Sequence, residues 1–164
     1  MNNERRASGS GVIIVTLLLA GWLTLLPWPE RLGLFHPQWL LLVLLYWVLA
    51  LPHRIGVLSG FLVGLFADVL SGSVLGQQAL AYAVAAWLAQ ASHKRVRVFP
   101  ALQQSLVLFL LVGVAVMISY LVQDAIGRAH YSPLLMQLGA LASALLWRPV
   151  YAVLRTVRQR FLVR

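Results

Sequence analysis

Hydrophobic residues are gathered into six runs along the chain, and polar or charged residues lie between them. Each run is bounded by proline, glycine or charge, which commonly interrupt or end apolar helices. The runs cover about residues 11–27, 37–52, 55–70, 74–91, 101–122 and 133–154. Because a helix needs about 20 apolar residues to cross the hydrocarbon core of a bilayer, the pattern predicts an all-α integral membrane protein with six transmembrane helices.

The composition favours a membrane protein over a soluble one. Of the 164 residues, 61% are hydrophobic and only 10% are charged, and the mean hydropathy is +0.85. A soluble domain of this length needs a charged surface to stay in solution, whereas whole runs of this chain carry no charge. The bilayer is therefore expected to surround most of the chain.

The basic residues are distributed unevenly between the two sides that six spans define. With the N-terminus inside, the outer side holds Arg31 and Arg128, while Arg148 lies in the last span near its inner end. The inner segments hold Arg5, Arg6, Arg54, Lys94, Arg95, Arg97, Arg155, Arg158, Arg160 and Arg164. This bias follows the positive-inside rule and places both termini in the cytoplasm. The predicted parts are a cytoplasmic tail over 1–10, a six-span domain over 11–154 and a basic cytoplasmic tail over 155–164.

The second and third runs are short for membrane spans. About 16 residues of helix extend about 24 Å, against a hydrocarbon core of about 30 Å. A re-entrant hairpin is the alternative, but it would bury His53 and Arg54 near the membrane centre, where an arginine costs at least about 2.5–3.5 kcal/mol. Two thin spans are the better prediction, since fusing the runs into one span would also reverse the charge bias.

The net charge of +9 indicates contact with anionic phospholipid and not with nucleic acid. A nucleic-acid site needs basic residues gathered on one water-facing surface, whereas here they are scattered between apolar runs. We single out the inner-face residues as candidate lipid or partner contacts, namely Arg54, Lys94, Arg95, Arg97, Arg155, Arg158 and Arg160.

The sequence offers no pattern typical of catalysis or of metal binding. It has no cysteine, its four carboxylates lie far apart, and its four histidines fall in turns without ligand spacing. Ser71 and Ser73 lack a neighbouring histidine that could act as a base. We therefore expect no enzyme activity, no metal and no cofactor.

A stripe of small residues occupies the third run. Gly56, Gly60, Gly64 and Asp68 recur every four residues, so they share one face of the predicted helix. In lipid, small residues on such a face allow a second helix to approach closely. The stripe therefore predicts a helix-packing interface or a partner interface.

Asp68 ends the stripe and has two interpretations. In the first, it closes a turn with Ser71, Gly72 and Ser73 and accepts hydrogen bonds from the backbone N–H groups of Ser71 to Val74. Its charge then also favours the positive N-terminal end of the fourth helix. In the second, it is a recognition carboxylate that faces a partner or a ligand, because ionisable residues at membrane depth are functional candidates. The sequence leaves both open.

Two segments resemble a known family. The stretch PWPERLGLFHPQWLLLVLLYWVLALPHRIGVLSGFLVGLFADVLSGSVLG (27–76) is similar to the rod shape-determining protein MreD family of Gram-negative bacteria, and LWRPVYAVLRTVRQRF (146–161) fits as well. The order of the Pro-Trp-Pro motif, the glycine stripe and the Asp-x-x-Ser-Gly-Ser motif carries the resemblance. Arg148 departs from the family pattern, in which an uncharged residue is expected.

The resemblance implies a multi-pass protein of the bacterial inner membrane that acts without enzymatic activity in the cell-wall elongation complex. The implied partners are MreC, the MreB filament, contacted directly or indirectly, and the glycosyltransferase RodA with its transpeptidase. A homo-oligomer is compatible with this role. The implied fold is similar to that of the six-helix substrate-binding subunits of vitamin transporters. That likeness raises the alternative function of a small-molecule or lipid-binding transport subunit.

Overall fold

The computed structural model describes residues 2–27, 35–128 and 132–161, with only the backbone described for residues 2–8 and 101. Over these ranges the predicted all-α fold with six helices is confirmed. The helices are α1 (Asn2–Leu25), α2 (Trp39–Ala50), α3 (Val57–Ser71), α4 (Gln77–Val96), α5 (Ala101–Ala125) and α6 (Pro133–Arg160).

Four helices, α1, α4, α5 and α6, continue several residues beyond the apolar runs that mark them in the sequence. Helix α1 begins at Asn2, α4 continues to Val96, and α6 passes through Pro149 and ends only at Arg160. The last turn of α4 contains a histidine, a lysine and an arginine. Positive side chains are favourable near the negative end of a helix dipole, so these basic residues extend the helix instead of ending it.

Two of the described helices are long and apolar enough to cross a membrane, Leu102–Ala125 and Pro133–Arg160. Three others are apolar but shorter, Gly9–Leu25, Trp39–Ala50 and Val57–Ser71. The 12 residues of α2 extend only about 18 Å. The long helices support a membrane location, and the full six-span topology stays a prediction.

Helix α2 lies at the centre of the bundle. All its residues from Leu40 to Ala50 are buried, and it packs against α1, α4 and α6. Its sequence, WLLLVLLYWVLA, is apolar on every side, which is typical of a helix surrounded by other helices. The short second run of the sequence therefore lies at the centre of the hydrophobic core, to which α1, α4, α5 and α6 also contribute.

Polar side chains join the central helix to its neighbours. Trp47 Nε1 donates a hydrogen bond to Thr16 Oγ1 on α1 at 2.9 Å. The backbone N–H of Gln38, just before α2, donates to Ser143 Oγ on α6 at 2.9 Å. Hydrogen bonds of this kind supplement close packing between helices in an apolar environment.

The two ends of the bundle differ in charge. We call the end where α2 and α4 finish and α5 begins the basic end, and the opposite end, where α3 turns into α4, the Asp68 end. The described basic residues lie at the basic end or toward it on α6, apart from Arg128, which follows α5. The side chains of Arg5 and Arg6, and residues Arg31 and Arg164, lie outside the described part of the chain.

Candidate functional site

The glycine stripe of α3 lies directly against α4. A Cβ atom added at Gly60 would lie 2.7 Å from Ala86 Cβ and 2.8 Å from the carbonyl oxygen of Tyr82. One added at Gly64 would overlap the backbone of Gln78 and would lie 2.5 Å from the Cα of Ala79. Both distances are too short for any side chain, so the approach of the two helices depends on glycine. The structure thus places the stripe inside the chain, facing α4.

Gln90 of α4 occupies the space beside the first glycine of the stripe. A Cβ at Gly56 would lie 2.9 Å from Gln90 Oε1, and Gln90 Nε2 donates to the carbonyl oxygen of Pro52 at 2.7 Å. The amide therefore ties α4 to the loop between α2 and α3. Sequence reasoning missed this residue, although a glutamine within an apolar run is itself a signal.

Asp68 is buried, with 1% of its surface exposed, and its carboxylate accepts four hydrogen bonds. Oδ1 accepts from Ser73 Oγ at 2.7 Å and from the backbone N–H of Gln78 at 2.8 Å. Oδ2 accepts from the backbone N–H groups of Gly76 at 2.8 Å and Ala79 at 3.3 Å. Both oxygens are thus engaged at the start of α4.

These bonds make Asp68 the cap of α4 from the preceding helix. The residue before α4 is Gly76, whose φ of 98° favours glycine and which has no side chain to cap the helix itself. A carboxylate there satisfies the first N–H groups and complements the positive end of the helix dipole. The prediction that Ser71 to Val74 supply the backbone donors to the carboxylate is wrong. The turn places the N-terminus of α4 next to Asp68, so the N–H groups of Gly76, Gln78 and Ala79 donate instead.

The predicted turn residues surround this carboxylate. Ser71 Oγ donates to the carbonyl oxygen of Ala67 at 2.8 Å and to Ser73 Oγ at 3.2 Å. Gly72 ends α3 in the left-handed conformation, with φ of 63°, and the N–H of Ser73 donates to the backbone carbonyl of Asp68 at 3.1 Å. Ser73 therefore contacts both the backbone and the side chain of Asp68.

At the basic end, Arg97 caps the central helix. Its Nε donates to the carbonyl oxygen of Leu49 at 2.8 Å, and its Nη2 donates to that of Ala50 at 2.5 Å. Both carbonyls lie in the last turn of α2, where a cation is favourable. Gln104 Nε2 of α5 donates to the carbonyl oxygens of Val96, the last residue of α4, and of Phe99, each at 3.1 Å. Arg97, predicted as a lipid or partner contact, is thus also bonded within the chain.

Two adjoining cavities open beside Arg97, with volumes of about 250 Å³ and about 400 Å³. They share four lining residues, Arg97, Gln104, Trp147 and Tyr151. Arg158 lines the smaller cavity, and Arg148 and Arg155 line the larger. Of the predicted inner-face residues, the structure brings together Arg97, Arg155 and Arg158, whereas Arg54, Lys94, Arg95 and Arg160 do not line these cavities. We call the two cavities together the basic cavity.

Aromatic rings form one wall of the basic cavity. The Tyr46 and Tyr151 rings meet edge to face, with centroids 5.5 Å apart, and Trp147 lies 5.7 Å from Tyr151. Trp147 is 2% exposed, and its Nε1 has no hydrogen-bond partner among the described residues. Their aromatic character was visible in the sequence, but their meeting depends on how α2 and α6 pack.

Comparison with known proteins points to one family. The family model described as rod shape-determining protein MreD matches residues 5–157. Rod shape-determining protein MreD of Haemophilus influenzae is 35% identical over 150 residues, which are 90% of this chain and 91% of that protein. No solved structure matches, so the likeness to vitamin-transporter subunits stays a prediction. The match extends into all six helices, and the chain belongs to the MreD family of rod shape-determining proteins.

Proposed function

We propose that this chain is a non-enzymatic scaffold of the cell-wall elongation complex in the bacterial inner membrane. Membership of the family itself implies a role in rod shape determination. In the proposed role the chain binds MreC and the peptidoglycan synthase pair, RodA and its transpeptidase, and connects them directly or indirectly with the MreB filament. The observation that carries the proposal is the family match over residues 5–157.

The exposed apolar face of α3 supports binding within the membrane. Leu58, Leu62 and Val69 are 73%, 57% and 68% exposed, while the glycine stripe of the same helix is turned toward α4. Such a face contacts either lipid tails or a helix of another protein. Because the described loops between helices are short, partner contacts of this kind are the main means of assembly available to the chain.

The alternative function, capture of a small molecule at the Asp68 end, has weaker support. The cavity lined by Gln38, Gln78, Ser119 and Gln123 has a volume of about 70 Å³. Pockets for small-molecule ligands usually measure about 300–1,000 Å³. The carboxylate of Asp68 is already engaged by four donors, which leaves it little capacity for a ligand.

Depletion and recovery from native membranes test the scaffold. We expect loss of the chain to convert rods into swollen round cells, and the affinity-purified chain to recover MreC, RodA and the transpeptidase. Adding the purified chain to the purified synthase pair should change the rate of synthesis without a new product. A new covalent product would contradict the non-enzymatic role. Recovery of a stoichiometric small molecule with an ATP-driven module, in place of MreC, would favour the transport subunit.

A further inference from the structure

Arg148 occupies an unusual position on α6. It lies two helical turns, or about 10 Å, before Arg155, in a segment that is otherwise apolar. An arginine at such a depth is costly in hydrocarbon unless water or an anion meets it. The structure places Arg148 on the surface and in the lining of the larger part of the basic cavity, beside Arg155. Both arginines therefore border one concave space.

The charge of the basic cavity has one sign. Arg97, Arg148, Arg155 and Arg158 line it, and none of the described lining residues is acidic. Like charges that share a concave, partly buried space repel one another and raise the local concentration of anions. An anion bound among them would relieve this repulsion.

Neutral hydrogen-bond donors add to this preference for an anion. The buried Nε1 of Trp147 has no acceptor among the described residues, although a buried N–H normally has one. The hydroxyl of Tyr151 belongs to a residue in the same walls. Arginine and these neutral donors form the set that recognises phosphate oxygens, since guanidinium groups bind them through paired hydrogen bonds.

An exposed apolar side chain lies close to Arg148. Leu145 lies one turn before Arg148 on the same side of α6 and is 73% exposed. A soluble anion would make no favourable contact with this leucine. A lipid would place an acyl chain against it while its head group entered the cavity.

We propose that the basic cavity binds the phosphate head group of an anionic phospholipid, with Arg148 and Arg155 as its principal charged contacts and Leu145 beside the acyl chains. Lipid binding at this site differs from the general attraction of a basic surface to the membrane. Its affinity depends on Arg148 and not on Lys94, Arg95 or Arg160. It goes beyond the proposed scaffold role and does not depend on any partner protein.

Native mass spectrometry of the full chain in neutral detergent tests the site. We expect phosphatidylglycerol to bind with one-to-one stoichiometry and more tightly than phosphatidylcholine. Replacing both Arg148→Gln and Arg155→Gln should weaken phosphatidylglycerol about tenfold or more, because charge-assisted hydrogen bonds are lost. Trp147→Phe removes only the Nε1 donor and should cause a smaller loss.

A charge-matched pair of variants serves as the control. Arg95→Gln with Arg160→Gln removes the same charge from exposed residues that do not line the cavity, and should change affinity less than about twofold. An equal loss in this pair would overturn the site in favour of general electrostatic attraction. Equal binding of phosphatidylcholine, or displacement of the lipid by low millimolar inorganic phosphate, would also overturn the assignment to an anionic lipid.

Discussion

The charged side chains at the two ends of the bundle differ in whether the chain itself supplies their partners. At the Asp68 end, one buried carboxylate is matched by four donors, three of them backbone N–H groups at the start of α4. At the basic end, Arg148 and Arg155 line a cavity that has no acidic residue among its described lining. The difference indicates that charge satisfied by the fold holds helices together, whereas charge in excess of its partners is available to another molecule.

The arginines of the basic end are of two kinds, those bonded within the chain and those exposed in the cavity lining. Arg97 donates to two carbonyls of the central helix, so it belongs with Asp68 as a structural charge. Arg148 and Arg155 are exposed residues of the cavity lining. Substitutions at the two kinds of position should therefore differ in whether they change stability or binding.

The largest effect is expected from Gly64→Leu at the Asp68 end. The new side chain would have to displace the backbone of α4 at Gln78 and Ala79, which cannot be done by rotating a side chain. Overpacking of this kind typically costs about 1–3 kcal/mol and here should cost at least that much. Membrane accumulation, measured by immunoblot, should fall severely.

Gly11→Leu is the matched control for this substitution. Gly11 lies on α1, and a Cβ added there meets no atom within 4 Å. Accumulation of this variant should match that of the unaltered chain. If Gly64→Leu accumulated as well as Gly11→Leu, the close packing of α3 on α4 would be contradicted.

Asp68→Ala should have the next largest effect. It leaves the N–H groups of Gly76, Gln78 and Ala79 without their acceptor. Removal of a capping acceptor typically costs about 0.5–2 kcal/mol, because water can replace it at the partly buried N–H groups. Asp68→Asn should be intermediate, because the amide keeps one acceptor oxygen but turns an NH₂ group toward donors. Thermal unfolding in detergent should rank aspartate above asparagine and asparagine above alanine.

Asp124 provides the control for Asp68. It is an exposed aspartate near the end of α5, so Asp124→Ala should shift the unfolding temperature little. Equal unfolding temperatures for Asp68→Ala and Asp124→Ala would show that the four hydrogen bonds do not stabilise the chain.

Arg97→Gln should destabilise the chain moderately. Loss of a cation at the C-terminal end of a helix costs about 0.3–1 kcal/mol at exposed sites and up to about 2 kcal/mol at partly buried ones. Arg95→Gln removes an exposed charge from the last turn of α4 and should cost less. A chemical or thermal unfolding series compares the two, and a larger effect of Arg95→Gln would refute the capping role of Arg97.

The smallest change in stability is expected from Arg148→Gln. The residue is exposed, and surface substitutions of this kind usually lie within about 0.5 kcal/mol of the original stability. The same unfolding assay in lipid-free detergent should therefore give a curve close to that of the unaltered chain. A large destabilisation would show that Arg148, like Arg97, stabilises the fold.

The sequence was sufficient to predict the helices and the glycine face. Each apolar run is bounded by proline, glycine or charge, and the four-residue spacing of Gly60, Gly64 and Asp68 fixes one helix face. These features depend on local sequence, so they could be read without knowing how the helices pack. That α4 is the helix packed against this face could not be predicted, because the stripe does not indicate which helix it contacts.

The remaining details depend on contacts between distant residues. The donors to Asp68 extend to Ala79, eleven positions away, and depend on the angle at which the α3–α4 turn aims the next helix. The basic cavity joins Arg97 to Arg148 and is lined by residues of α2, α4, α5 and α6. Hydropathy assigns Arg148 to a span but does not say which side of α6 faces a cavity.

Thermal unfolding with and without phosphatidylglycerol tests the contrast between the two ends most directly. We predict that Asp68→Ala unfolds at a lower temperature in both conditions but keeps the stabilisation that lipid provides. The Arg148→Gln, Arg155→Gln double variant should unfold like the unaltered chain without lipid and lose the stabilisation by lipid. The account is contradicted if Asp68→Ala loses the lipid effect while the double arginine variant keeps it.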